Sequence, residues 1–180
     1  MADRVRFSGN HLGLPEVAAH HKDLESSLTL YFSTRSPSYL SRFVGYTGTE
    51  VTDELLARLD EADLTSALTV LAAVEAVFRI DYLQRCYRRA KDPLSRAFRD
   101  IYKSKQQQAS LEDEIFEAWI NNSSGASSII GELRGAFRFR HWLAHGRYWA
   151  PKLGRRYDFS DVFALADLAL CSLPFHGLRS

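Results

Sequence analysis

Apolar residues recur along the chain at the spacing of a helix face, and few segments alternate with the period of two that marks a half-buried strand. Residues 1–14 are broken by Gly9, Asn10 and Gly13 and read as irregular. Pro15 opens a first helix over 16–32, with Val17, Leu24, Leu28 and Tyr31 as its stripe. Residues 33–49, carrying Pro37, Gly45 and Gly48, predict a connection with at most a short helix. Thr52 or Asp53 caps a short helix ending near residue 59, and Asp63 caps the longest one, over 64–90. The interior of that helix, 67–78, is apolar nearly all round, which predicts a central, buried position. Pro93 ends any continuation and starts a helix reaching about residue 107. Ser110 and Asp113 resemble a capping box opening a helix over 111–120. After a turn-rich loop come a helix over 129–145 and a basic, aromatic loop over 146–158. Ser160 caps a final helix over 161–173, closed by Pro174. The expected fold is all-α, an up-and-down bundle of four to five main helices. Residues 1–60 form a helical extension packed on a helical domain of residues 61–180, the two making one compact unit.

Composition narrows this a little. A chain of 180 residues, 46% hydrophobic and 25% charged, suits one domain with a sizeable core. The net charge of +1 provides no global field for nucleic acid, but the charge is unevenly placed. Arg134, Arg138, Arg140, Arg147, Lys152, Arg155 and Arg156 follow one another with no acidic residue between them, whereas 50–63 and 112–117 are acidic. Cys86 and Cys171 are too few for a disulfide framework and predict two buried, reduced thiols. The N-terminus has no apolar core of a signal peptide, and no run approaches the length of a membrane span. The expectation is a cytoplasmic protein without membrane contact.

The chemistry concentrates in 137–149, F-R-F-R-H-W-L-A-H-G-R-Y-W. Histidine changes charge near neutral pH, and arginine is the fixed cation best shaped for phosphate. At about 100° per residue, Arg134, Arg138, His141 and His145 share one helix face, and Leu133, Phe137, Arg140 and Ala144 share the next. Arg140 therefore lies on a mainly apolar stripe and needs a carboxylate, an interface or a bound anion. Arg140 and His145 do not share a face, and converge only if the helix ends or kinks before His145. Gly146 can close it.

Glu75, inside the apolar helix, has two readings: an ordinary i,i+4 ion pair with Arg79, or a carboxylate that reaches Arg140 or the histidines and orients them. His141 and His145 also have metal-ligand spacing, but no third ligand is visible and Trp142 stands where a zinc peptidase has glutamate, so no metal or other cofactor is expected. His20 and His21 read as solvated surface histidines. Trp142 reads as packing, while Tyr148 and Trp149 stay open between packing and base stacking. Arg134, Arg138, Arg147, Lys152, Arg155 and Arg156 read either as a phosphate track or as a solvated basic face.

The heptapeptide from Arg140 to Gly146, R-H-W-L-A-H-G, late in an all-helical chain, resembles the R-x4-6-H signature of the HEPN superfamily. The resemblance covers roughly residues 60–175. Arg138 with His145 satisfies the six-residue form of the signature; Arg140 is preferred because the polar His141 follows it. Glu75 and Arg79 match the E-x3-K/R pair that several HEPN families carry on the second core helix. The resemblance implies a metal-independent endoribonuclease, acting as a homodimer whose composite site holds two arginines and two histidines. In it His145 handles the proton, Arg140 binds phosphate, and His141 and Glu75 orient them. Arg138, Arg147, Tyr148, Arg134 and Arg79 contact RNA. The resemblance also implies a toxin or antiviral effector, with an antitoxin or defence-system partner. One departure concerns regulation: where some members carry R-x4-H-x-Y, a tyrosine that receives a nucleotide, Arg147 stands here and Tyr148 follows. The alternative is a non-catalytic HEPN-like module that binds RNA, nucleotide or a partner protein.

Overall fold

Pro15 lies in the first turn of α1 (Leu14–Tyr31), where its missing N–H has no intrahelical acceptor to lose. A short connection carrying α2 (Tyr39–Arg42) leads to Thr47. The Thr47 hydroxyl accepts the Glu50 N–H, and the Glu50 carboxylate accepts the Thr47 N–H at 2.7 Å. This reciprocal cap starts α3 (Gly48–Arg88), a single helix of 41 residues. The computed structural model describes residues 4–176.

Sequence predicts two helices meeting at Asp63, but α3 runs through that point and through residue 60/61 without a break. No glycine or proline lies between 59 and 64 to stop it. The Asp63 carboxylate is used across space instead, accepting the Phe159 N–H at 2.9 Å at the start of another helix.

Asp92 caps α4 (Pro93–Lys105) by accepting the Ser95 N–H at 3.0 Å. Ser110 then opens a wide π-helical turn (Leu111–Phe116) that runs into α5 (Glu117–Asn122), where sequence predicts one ordinary helix. Ser110 does accept the Asp113 N–H, but its own N–H is taken by Glu114 at 2.6 Å, one residue later than a capping box requires. The shift follows from the turn, in which the Ile115 N–H reaches back five residues to the Ser110 carbonyl. α6 (Ala126–Ala144) and α7 (Phe159–Ser172) complete the fold, the latter capped by Asp158 and not by Ser160.

The result is an all-α bundle with five helices of thirteen residues or more, and no strand among the described residues. α3 is the hub, touching α1, α4, α6 and α7. Its buried Val70, Leu71, Val74 and Phe78 form the centre of the main core, against Phe116, Trp119, Leu133 and Val162 from other elements. A satellite core of Phe32, Phe43 and Val51 sits near the N-terminal end of α3. Among the described residues no helix is long and apolar enough to cross a membrane.

Two surface expectations fail. His21 is buried beside Val17, four residues earlier on the same face; its Nδ1 lies 3.0 Å from Ser66 Oγ and its ring stacks on Phe159 at 3.8 Å. Of the two adjacent histidines, His20 alone is exposed. Cys86 is buried, and desolvation pushes its thiol up to about 12, but Cys171 is exposed on the outer face of α7.

The core also holds an ion pair, Asp81 and Arg85, both almost wholly buried. Arg85 donates from Nε to Asp81 at 2.8 Å, from Nη1 to Asp92 at 3.2 Å and from Nη2 to the Pro174 carbonyl at 2.5 Å. The other Asp81 oxygen accepts the His176 N–H at 2.7 Å. Removing one member strands a buried charge, so Arg85→Ala should cost about 3–5 kcal/mol. Urea unfolding is the measurement. The double replacement Asp81→Leu with Arg85→Met should regain most of that loss, because it removes both charges together.

Candidate functional site

Leu133 and Phe137 bury one side of α6, and Arg138, His141 and His145 lie exposed on the other. The helix closes as Gly146 takes φ +80°. The Gly146 N–H then bonds the Leu143 carbonyl at 3.3 Å, and the Arg147 N–H bonds the Trp142 carbonyl at 3.1 Å. The His145 N–H still bonds the His141 carbonyl at 3.1 Å, so the regular ladder extends to His145 and ends after it. Side chains five residues apart on such a ladder point about 140° apart. One chain therefore does not turn Arg140 and His145 toward the same point.

Arg140 is met by Glu75. One Glu75 oxygen lies 2.8 Å from Arg140 Nη2, and the other accepts from Arg79 Nε at 2.7 Å. Arg79 also donates to the Ala109 carbonyl at 3.0 Å. Both sequence readings of Glu75 thus hold as contacts: it pairs with its helical neighbour and reaches Arg140, though neither histidine. The arginine on an apolar stripe has its carboxylate within the chain, so its position no longer requires an interface. Arg140 Nε remains buried without a partner. These groups line a cleft of about 360 Å³ together with Ser110, Glu112 and Asp113 from the π turn.

The two histidines stand together at the end of the helix. Their ring centroids are 4.2 Å apart, and the Trp149 ring lies 5.9 Å from His141. Trp142 is half-buried, stacked on Phe139, and donates its indole N–H to the Trp149 carbonyl at 2.8 Å, which is the packing role expected of it. Tyr148 is 84% exposed.

Four of the seven cations of the basic segment are paired with the chain's own acids, Arg140 with Glu75 among them. Arg134 pairs with Glu117 at 2.5 Å, and Arg147 pairs with Glu61 through two contacts of 2.7 and 3.0 Å. The hydrogen bonds and charge of Glu61 hold the Arg147 guanidinium above its usual range. Arg156 lies 4.0 Å from Asp60. Arg138, Lys152 and Arg155 are exposed with no ion-pair partner among the described residues, Arg155 lying over the Tyr157 ring at 4.6 Å. A continuous phosphate track is thus reduced to Arg138, Lys152, Arg155 and the histidine face. Glu61 is the residue that sequence reasoning misses; its only signal is that an acidic stretch exists to match a basic one. No group of three or more metal-binding side chains occurs among the described residues.

Because Glu75 serves two guanidinium groups at once, Glu75→Gln should cost about 1.5–3 kcal/mol in urea unfolding. Combined with Arg140→Met, the loss should be smaller than the sum of the single losses, since the two residues share one contact. Strict additivity would mean that the pair is not formed in solution. No protein-family model, curated protein or solved structure matches the chain.

Proposed function

We propose that the protein is a metal-independent endoribonuclease of the HEPN type. The observation that carries the reading is the exposed imidazole pair, His141 and His145, at the end of α6. RNA brings its own nucleophile. His145 removes the proton of a 2′-OH, O2′ attacks the adjacent phosphorus, the P–O5′ bond breaks, and the departing O5′ takes up a proton from water. The products are a 2′,3′-cyclic phosphate and a 5′-hydroxyl. His141 orients His145 from one helical turn away, and Glu75 fixes the guanidinium of Arg140 that binds the phosphate.

The divergence of Arg140 and His145 on one helix supports a homodimer in this scheme: Arg140 of one copy and His145 of a second complete a cleft. Arg138 and Tyr148 extend the RNA contact; Arg79, Arg134 and Arg147 contribute only where phosphate displaces their present carboxylates. The cellular role proposed with this chemistry is that of a toxin or defence effector restrained by a partner protein.

One observation favours a second reading, a non-catalytic module that binds RNA or a partner. Arg140 is already neutralised by Glu75 and faces away from His145.

Incubation with mixed cellular RNA in EDTA separates the two. The unaltered protein should produce cyclic-phosphate ends, and His145→Ala should lower the rate about 10²–10⁴-fold. Equal cleavage by both proteins would remove His145 from the mechanism. RNA binding without cleavage by either would establish the module.

A further inference from the structure

Tyr148 is the most exposed large apolar side chain among the described residues, at 84%. It is nevertheless held on both sides. Before it, Arg147 adopts the left-handed conformation at φ +57°, unfavourable for a residue with a Cβ. Its N–H is bonded to Trp142 and its guanidinium grips Glu61 on α3 through two nitrogens. After it, the Trp149 carbonyl is fixed by the Trp142 indole. The backbone thus presents the Tyr148 ring outward between two anchors. The Tyr148 and Trp149 rings meet in a T-shaped contact, centroids 4.6 Å apart at 70°, which leaves most of the tyrosine ring open to solvent. Trp149, His141 and His145 continue the series of ring contacts.

We infer that Tyr148, braced by Trp149, is a stacking platform for one unpaired nucleobase, and that the site therefore takes single-stranded RNA in preference to duplex. The inference rests on the reading of the histidine pair as an RNA site. An aromatic face accepts any base, because every base has a π face, so the platform selects strandedness and not sequence. In a duplex both faces of a base are covered by its neighbours, and A-form grooves do not offer base faces to a side chain. Trp149 backs the ring, and the strained Arg147 backbone aims it.

The test uses the full chain and a fluorescent 2′-O-methyl RNA oligonucleotide, which lacks the nucleophile and cannot be cut. Affinity is read by anisotropy, single-stranded and annealed to its complement. The unaltered protein should bind the single strand more tightly than the duplex. Tyr148→Ala should lose on the order of 10-fold in single-strand affinity, at low and high salt alike, and Tyr148→Phe should retain it. Equal binding of single strand and duplex, or full affinity in Tyr148→Ala, would overturn the inference. If Tyr148→Ala instead converts a dimer to a monomer with RNA affinity unchanged, the ring belongs to a contact between copies and the platform is wrong. The outcome is independent of catalysis. Platform binding without cleavage of natural RNA defeats the nuclease reading alone, and cleavage indifferent to Tyr148 defeats the platform alone.

Discussion

A buried guanidinium must have its donors satisfied, and Arg85 meets that demand with groups from three parts of the chain. Asp81 comes from its own helix, Asp92 from the cap of α4, and the Pro174 carbonyl from the segment after α7. The guanidinium also lies 5.3 Å from the centroid of a Trp119 ring, a cation over an aromatic face. An apolar core tolerates small rotations of its helices; a planar fork with fixed acceptors does not. Ion pairs of this kind add little net stability over well-packed apolar residues. What this one supplies is register, because it fixes how α3 stands against α4 and the C-terminal segment. Glu75 lies six residues before Asp81 on the same helix, and meets Arg140 on α6.

The fold is legible where one residue type has one physical meaning. The apolar run at 67–78 does mark the central helix, and Pro15, Pro93 and Ser110 do stand at helix starts. It is illegible where a group has several uses. Asp63 looks like the cap of the helix that follows it, but a carboxylate can cap any N-terminus within reach, and it serves α7. Asp81 and Arg85 look in sequence like any surface pair four residues apart; only tertiary packing makes them core. His21 is hidden for the same reason, since an imidazole that finds a hydroxyl and an aromatic ring is at home inside.

At the candidate site, the cost of leaving a guanidinium on an apolar stripe demands a partner for Arg140, and Glu75 is that partner. The fate of the other cations needed the fold. Four of the seven cations of 134–156 are paired with acids elsewhere in the chain, on α3 and at the start of α5. The basic surface suggested by local composition thus becomes, in good part, a set of solvent-facing ion pairs joining α6 and the loop after it to their neighbours. What stays open to solvent without a carboxylate is narrower: two imidazoles, Arg138, Lys152, Arg155 and a projecting tyrosine.

The length of α3 has a hydrodynamic consequence. Forty-one residues in one helix reach about 60 Å at 1.5 Å each. A compact globule formed from 180 residues has a radius of gyration of about 16 Å, hence a diameter near 40 Å. The rod is longer than the sphere that would hold the chain, which is why its N-terminal end carries a small core of its own instead of sharing the main one. Such a particle tumbles and sediments more slowly than a sphere of equal mass. A single copy will therefore run ahead of its true mass on a sizing column and can pass for a dimer, whereas light scattering, blind to shape in this range, reads its mass directly.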